Sequence, residues 1–175
     1  MTDSDKRYTG RIGKGMTLVA WLIVLGLLTL YFNNRLDSQH NPNQTVYSRI
    51  NEAGVQEVVL KRNRFGHYVT TGTVNGRSVE FMLDTGASDV AIPAQLAQEL
   101  GLQRGAPVQY RTANGVVTAW RTTIDSVSIG PMVIRNVPAS INPGMNDMEI
   151  LLGMSVLKHV EFTQRGDTLI LRPNE

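Results

Sequence analysis

The sequence predicts an all-β domain, a closed or orthogonally packed barrel with one or two short helices, behind a single N-terminal transmembrane helix. Three observations lead there. An uncharged apolar run occupies residues 16–32, short β-type runs with turn signals fill the chain from about Val55 onward, and no strand–helix–strand rhythm appears.

The apolar run, "MTLVAWLIVLGLLTLYF", is seventeen residues without a charge. As a helix it covers roughly 25 Å, close to the hydrocarbon thickness of a bilayer. Tyr31 and Phe32 stand where an interfacial aromatic belt sits. A cleaved signal peptide would show a shorter run and a small-x-small site, and "NNRLDSQHNPNQ" offers none. A soluble core helix would show a polar face, and this run has none. Lys6, Arg7, Arg11 and Lys14 precede the run, whereas only Arg35 follows it closely. The positive-inside rule then predicts a cytoplasmic tail over 1–15 and a single pass over 16–32 in the lipid bilayer. The rest is expected outside the cytoplasm, in a bacterium on the periplasmic side of the inner membrane. Residues 33–50, rich in Asn, Gln and Ser, read as a flexible linker, and 51–175 as the folded domain.

Net charge excludes one class of partner. The total is +2, and residues 1–15 alone carry four basic and two acidic side chains. The remainder is balanced, so no basic surface for nucleic acid is expected. With no cysteine, disulfides and thiolate chemistry are excluded.

Within the domain, "VQEVVLKRN" and "FGHYVTTGTVNGRSVEFML" read as strands, the second folded at Asn75-Gly76. Asn-Gly suits a two-residue turn that needs positive φ at both positions. Val79, Phe81 and Leu83 fall on one face of the outgoing strand, with Ser78, Glu80, Met82 and Asp84 on the other. "PAQLAQELGL" carries a short helix, Pro93 at its start and Gly101 at its C-terminal cap. Asn114-Gly115 tips a second hairpin in "VQYRTANGVVTAWRTTI"; neither face is continuously apolar, so it is expected to project from the body. Two further short strands follow in "DSVSIGPMVIRNVPASI". "MEILLGMSVLKHVEF" passes from strand through Gly153 into a brief helix, and a hairpin at Gly166-Asp167 closes the chain.

His40, His67 and His159 are scattered, so no metal site is expected. Neither a G-x-S-x-G elbow nor a glycine-rich phosphate loop occurs, and no cofactor is called for. The unusual feature is "VEFMLDTGASDVAIP": a carboxylate, Asp84, ends an apolar strand and is followed by small residues. A carboxylate beside apolar neighbours needs a partner or a purpose.

"FMLDTGAS", "YRTANGVVTAW" and "ILLGMSVL", in that order, resemble the retropepsin-like aspartic proteases, and the apolar span in front resembles their membrane-anchored bacterial branch. The resemblance covers roughly residues 56–172. It implies that Asp84 is catalytic, within an active-site loop completed by Thr85, Gly86, Ala87 and Ser88. Leu152 and Gly153 would support that loop. Asp89, Tyr110, Asn114, Gly115 and Trp120 would contact substrate or form a flap over it. Ser88 stands where retroviral relatives often carry an acid, and the hairpin holds fewer glycines than their flaps.

No second Asp-Thr-Gly or Asp-Ser-Gly occurs. The resemblance therefore implies a homodimer in which two Asp84 carboxylates meet on a two-fold axis and share one proton. The activity implied is peptide-bond hydrolysis on a peptide or protein substrate. Two other readings stay open: a non-catalytic, membrane-tethered peptide-binding module on the same lobe, and a structural β domain in which Asp84-Thr85-Gly86 is only a tight turn.

Overall fold

The computed structural model describes residues 3–112, 115–146 and 148–174, which fall into one unit ending at Ser38 and a second beginning at Gln39. The first unit is most of a single helix, α1 (Asp3–His40). From Met16 it is long and apolar enough to cross a membrane, a form shared by membrane spans and signal sequences. Trp21, Leu22, Ile23 and Val24, which together go once round the helix, are all exposed. The helix outlasts the expected span because 33–40 holds no glycine or proline; Pro42 then disfavours helical geometry at Asn41.

The second unit contains two sheets among the described residues. One has the order β1 (Tyr47–Ile50), β2 (Gln56–Lys61), β11 (Thr168–Pro173), β10 (Val160–Arg165), antiparallel throughout. The other runs β3 (Val69–Val74), β4 (Arg77–Leu83), β9 (Ile150–Leu152), β5 (Val90–Pro93), β8 (Met132–Asn142), β7 (Gly115–Ile129), β6 (Pro107–Thr112). That sheet curls until β3 also meets β7, over Thr73↔Ser128 and Val74↔Val127. So short a seam leaves the barrel only partly closed. It depends on Gly72, because a Cβ there would lie 2.3 Å from the Ser128 carbonyl oxygen and 2.6 Å from the Phe81 ring.

One apolar cluster joins the sheets, with Val58, Leu60 and Leu171 from the first and Phe81, Ile92, Ile124 and Ile150 from the second. Alternation along β4 puts Val79 and Phe81 inside and leaves Leu83 half-buried beside the strand end. The turn at Asn75-Gly76 has φ of 51° and 79°, as its residue types require. Helix α2 (Ala94–Glu99) follows Pro93 and ends before Gly101, whose φ is +72°. Helix α3 (Met154–Leu157) follows Gly153 directly.

Two expectations need correction. The second arm of the Asn114-Gly115 hairpin and the strand after it are one 15-residue strand, β7, since residues 116–129 hold no glycine or proline to break it. Residues 115–119 pair only with β6, and β8 joins from Trp120, so the tip does extend beyond the sheet. Asn114 lies outside the described residues.

The segment read as a linker is a free tether over none of its second half. Asn41 and Asn43 are buried. The Asn43 amide donates to the carbonyls of Lys61 (2.9 Å) and Val69 (2.7 Å), and its oxygen accepts from the Lys61 N–H at 2.7 Å. One side chain thereby bridges β2 and β3, which belong to different sheets. Asn41 donates to Glu80 at 2.8 Å and Thr71 at 3.1 Å, and the His40 imidazole stands 3.5 Å from Glu149. Beyond them β1 pairs with β2. Asparagine content signals disorder only when the amides face water; here they replace strand hydrogen bonds.

Glu57 is 1% exposed and accepts from Arg49 (2.9 Å), Arg172 (2.7 Å) and Asn51 (3.0 Å). Hydrogen bonds from Asn51 and Arg49, opposed by burial and aided by Arg172, hold its carboxyl at about 2, below the ordinary 4.5. The stabilisation is complete above the unfolded value near 4.5 and is lost as pH falls toward about 2. Acid unfolding should therefore steepen between those values in the wild-type chain, and Glu57→Gln should flatten that part of the curve of stability against pH. Asn43→Ala should cost about 3 kcal/mol in denaturant titration, since it strands buried backbone groups on two strands.

Candidate active site

Asp84 follows the last residue of β4, and two neighbours fix its backbone. Strand β9 runs parallel to β4 with Leu83 opposite Leu152. The Asp84 N–H continues that ladder by donating to the Leu152 carbonyl at 3.2 Å. The chain then turns away from the sheet. The Ala87 N–H donates back to the Asp84 carbonyl at 3.2 Å, and the Gly86 N–H donates to Asp84 Oδ1 at 2.8 Å. The carboxylate is thus oriented by its own loop, half-buried, at the point where a buried strand meets solvent.

The loop is locked from below by α3. Its first amides, on Met154 and Ser155, donate to the carbonyls of Ala87 (2.8 Å) and Ser88 (3.1 Å). Ser155 Oγ accepts from the Val90 N–H at 3.1 Å and donates to the Pro138 carbonyl at 3.0 Å. This approach is open only to glycine at 153: a Cβ there would sit 2.2 Å from the Asp89 oxygen and 2.6 Å from that of Ala87. Leu152, fully buried, and Gly153 are therefore brought directly against the Asp84 loop.

A cavity of about 330 Å³ opens beside Asp84 and Thr85, lined also by Tyr68, Leu83, Leu157, Phe162, Gln164 and Leu169. Asp84 is its only carboxylate among the described residues. Thr85 is exposed there, with no hydrogen bond to its hydroxyl within the described chain. The Tyr68 hydroxyl is buried without a hydrogen-bond partner among the described residues. Burial pushes the Tyr68 phenol above its usual range, with Arg62 opposing and Asp167 reinforcing.

Asp89 takes a different position. Tyr110 Oη donates to Asp89 Oδ2, and Ser140 Oγ donates to Oδ1 at 3.2 Å. Burial first, and the Asp89 carboxylate next, raise the Tyr110 phenol above its ordinary value. This contact ties the β6–β7 hairpin to the segment leaving the Asp84 loop. Asp89 and Tyr110 line a separate open cavity that shares no residue with the one beside Asp84. Trp120 sits at the hairpin base opposite Pro107, half-buried, with the Arg104 guanidinium 4.6 Å from its ring centroid. Gly115 starts β7 at the tip, with φ of +113°.

Sequence reasoning missed Tyr68, Ser140, Ser155, Phe162 and Leu169. Phe162 alone carried a local signal, the alternation Val160, Phe162, Gln164 in the last hairpin; the others meet the site across long separations.

An Asp-Thr-Gly loop at a strand end, clamped by an apolar-apolar-Gly strand and a short helix in a mostly β unit, defines a retropepsin-like aspartic protease lobe. The chain belongs to the family described as gag-polyprotein putative aspartyl protease, whose model matches residues 70–159. It is 36% identical to an uncharacterized Sinorhizobium protein from the cobV 5′ region, over 93% of this chain and 75% of that protein. It is also 36% identical to uncharacterized protein RP867 of Rickettsia prowazekii (strain Madrid E), over 67% of this chain but only about half (52%) of that relative. Among solved structures it is similar to the crystal structure of a retropepsin-like aspartic protease from Rickettsia conorii. The TM-score is 0.59 at 36% identity, covering 74% of this chain and 96% of that one.

Gly153→Ala tests the clamp. It should lower stability by about 1–3 kcal/mol through overpacking. Amide exchange at Met154 and Ser155 should accelerate more than at the distant β10–β11 hairpin.

Proposed function

We propose that the protein is a membrane-anchored aspartic endopeptidase whose active centre forms when two chains bring their Asp84 carboxylates together. The observation that carries this reading is Asp84 itself: an oriented, half-buried carboxylate in a family-typical loop, with no second acid lining its cavity among the described residues. One carboxylate can activate a water or polarise a carbonyl, but it cannot do both at once.

In the dyad, one proton is shared because two adjacent carboxylates resist double ionisation. The ionised Asp84 takes a proton from a bridging water as the water oxygen bonds to the scissile carbonyl carbon. The protonated Asp84 gives its proton to the carbonyl oxygen. Collapse of the resulting diol breaks the C–N bond, with a proton delivered to the leaving nitrogen. Gly86 keeps the backbone N–H on Asp84 Oδ1, which holds the carboxylate in place through the cycle.

The β6–β7 hairpin, with Tyr110, Asn114, Gly115 and Trp120, is the proposed cover over an extended peptide, which it would bind by backbone pairing. Asp89, joined to Tyr110, would set the hairpin's position. The apolar helix from Met16 and the basic residues before it support an anchor with its N-terminus in the cytoplasm and the β unit on the outer, periplasmic side of an inner membrane. Confinement to a membrane raises the local concentration of chains and favours pairing.

The test is hydrolysis of a mixed peptide library by the full chain in bilayers and in detergent at several concentrations, beside Asp84→Asn. Activity should rise more than linearly with chain density and fall by at least about a hundredfold in the variant. Hydrolysis that survives in Asp84→Asn overturns the reading. Peptide binding without hydrolysis at any density would assign the lobe to a binding module instead.

A further inference from the structure

We propose that a basic corner of the second unit, built from Lys61, Arg62, Arg64, Phe65 and Arg165, seats on the anionic headgroups of the membrane that holds the anchor. The proposal rests on the anchor reading and adds to it an electrostatic contact that the apolar helix does not supply.

Two turns assemble the corner. Between β2 and β3 the chain turns over residues 62–67, where the buried Asn63 accepts on its side-chain oxygen from the N–H groups of Phe65 and His67, both at 2.9 Å. That bracing leaves Arg64 and Phe65 exposed at the tip. The Arg62 N–H donates to the Asp167 carbonyl at 2.8 Å, which brings the turn between β10 and β11 alongside. Lys61 pairs with Thr168 and Thr168 with Arg165, so Lys61 and Arg165 share one face of three neighbouring strands. Leu60 is buried, so by alternation that face turns away from the core.

The balanced charge beyond residue 15 conceals this local excess. Asp167 is taken up by Arg62, and Glu80 and Glu149 face the His40 imidazole. Lys61, Arg64 and Arg165 have no ion pair among the described residues. The Arg64 guanidinium stands 5.2 Å from the Phe65 ring centroid, and Phe65 is 61% exposed. Such a pair suits a headgroup layer, which is charged on one side and apolar on the other.

The tether selects the occupant. The Asn63 amide donates to the His40 carbonyl at 2.9 Å, and Arg64 donates to the Gln39 side chain. The corner is thereby fixed to the residues at which the second unit begins. Gln39 lies seven residues beyond Phe32, the end of the apolar run. At any angle between the units, that length of chain reaches at most about 25 Å. As part of α1 it rises only about 10 Å, comparable with the screening length in dilute salt. Unmatched cations held at that range face a dense layer of lipid phosphates, whereas a soluble acidic partner has to be recruited from solution. Tyr68, three residues beyond Phe65, lines the Asp84 cavity, so the seat would hold one wall of that cavity close to the lipid.

The natural chain has no cysteine, so single introduced thiols can carry an environment-sensitive dye on the full-length protein. His67→Cys places the dye at the corner. Val133→Cys is the comparison, exposed and paired with Ser128, which pairs with Thr73 toward the far end of β3. The vesicles contain three parts phosphatidylcholine to one part phosphatidylglycerol, with a trace of lipid spin-labelled at its headgroup. Quenching of the His67 dye should exceed that of the Val133 dye by at least roughly fivefold. Omitting phosphatidylglycerol, adding molar salt, or combining Lys61→Glu with Arg165→Glu should bring the two within about twofold. Equal quenching at both positions, or quenching at His67 that ignores phosphatidylglycerol and the charge reversals, overturns the seat. A His67 dye that responds to poly-glutamate through Lys61 and Arg165, without lipid quenching, also overturns it and assigns the corner to an acidic protein. A Leu25→Cys dye separates the seat from the anchor. If aqueous iodide reaches that dye, the anchor fails and the seat with it; if the dye is shielded while the His67 dye stays unquenched, the seat alone fails.

Discussion

Two amides of a one-turn helix hold the carbonyls of Ala87 and Ser88, and the candidate site depends on that contact. A loop leaving a buried strand must find partners for its backbone or stay in water. Here α3 supplies them, and Gly153 lets the two backbones come close enough. Asp84 is held by its loop in consequence, although it stands where a strand ends and packing gives out. The pairing of β4 with β9 does the other half, because it brings Leu152 and Gly153 beneath Leu83 and Asp84.

The same economy of backbone partners organises the rest of the unit. Asn43 stands in for a missing strand between β2 and β3, and Gly72 admits the seam where β3 meets β7. Glu57 gathers Arg49, Arg172 and Asn51 from three separate positions along the chain. Each contact joins segments that packing alone would leave loosely related, and the loss of Asn43 would leave backbone groups on two strands unmatched.

Function follows from where these constraints stop. Asp84 is oriented but has no acid beside it among the described residues, Tyr68 keeps an unmatched hydroxyl, and β10 leaves an edge open next to both. These features lie on one region of one surface. The Tyr110–Asp89 contact adds a link between the hairpin and the loop, so the hairpin's position bears on the segment that follows the carboxylate.

By itself the sequence determined the features written within one turn or one strand. The apolar helix, the Asn75-Gly76 and Gly166-Asp167 hairpins, the capped helix before Gly101 and the Asp84-Thr85-Gly86 loop all rest on neighbours a few residues apart. The outline of the lobe was legible because those pieces occur in a recognisable order. Tertiary structure alone decided that Asn43 is a brace rather than part of a tether, that Asp89 binds Tyr110 and Ser140, and that Phe162 borders Asp84. Each of these depends on partners 18 to about 80 residues away. Their register is set by how the whole core packs, and a side chain's local pattern carries no record of which distant strand will stand beside it.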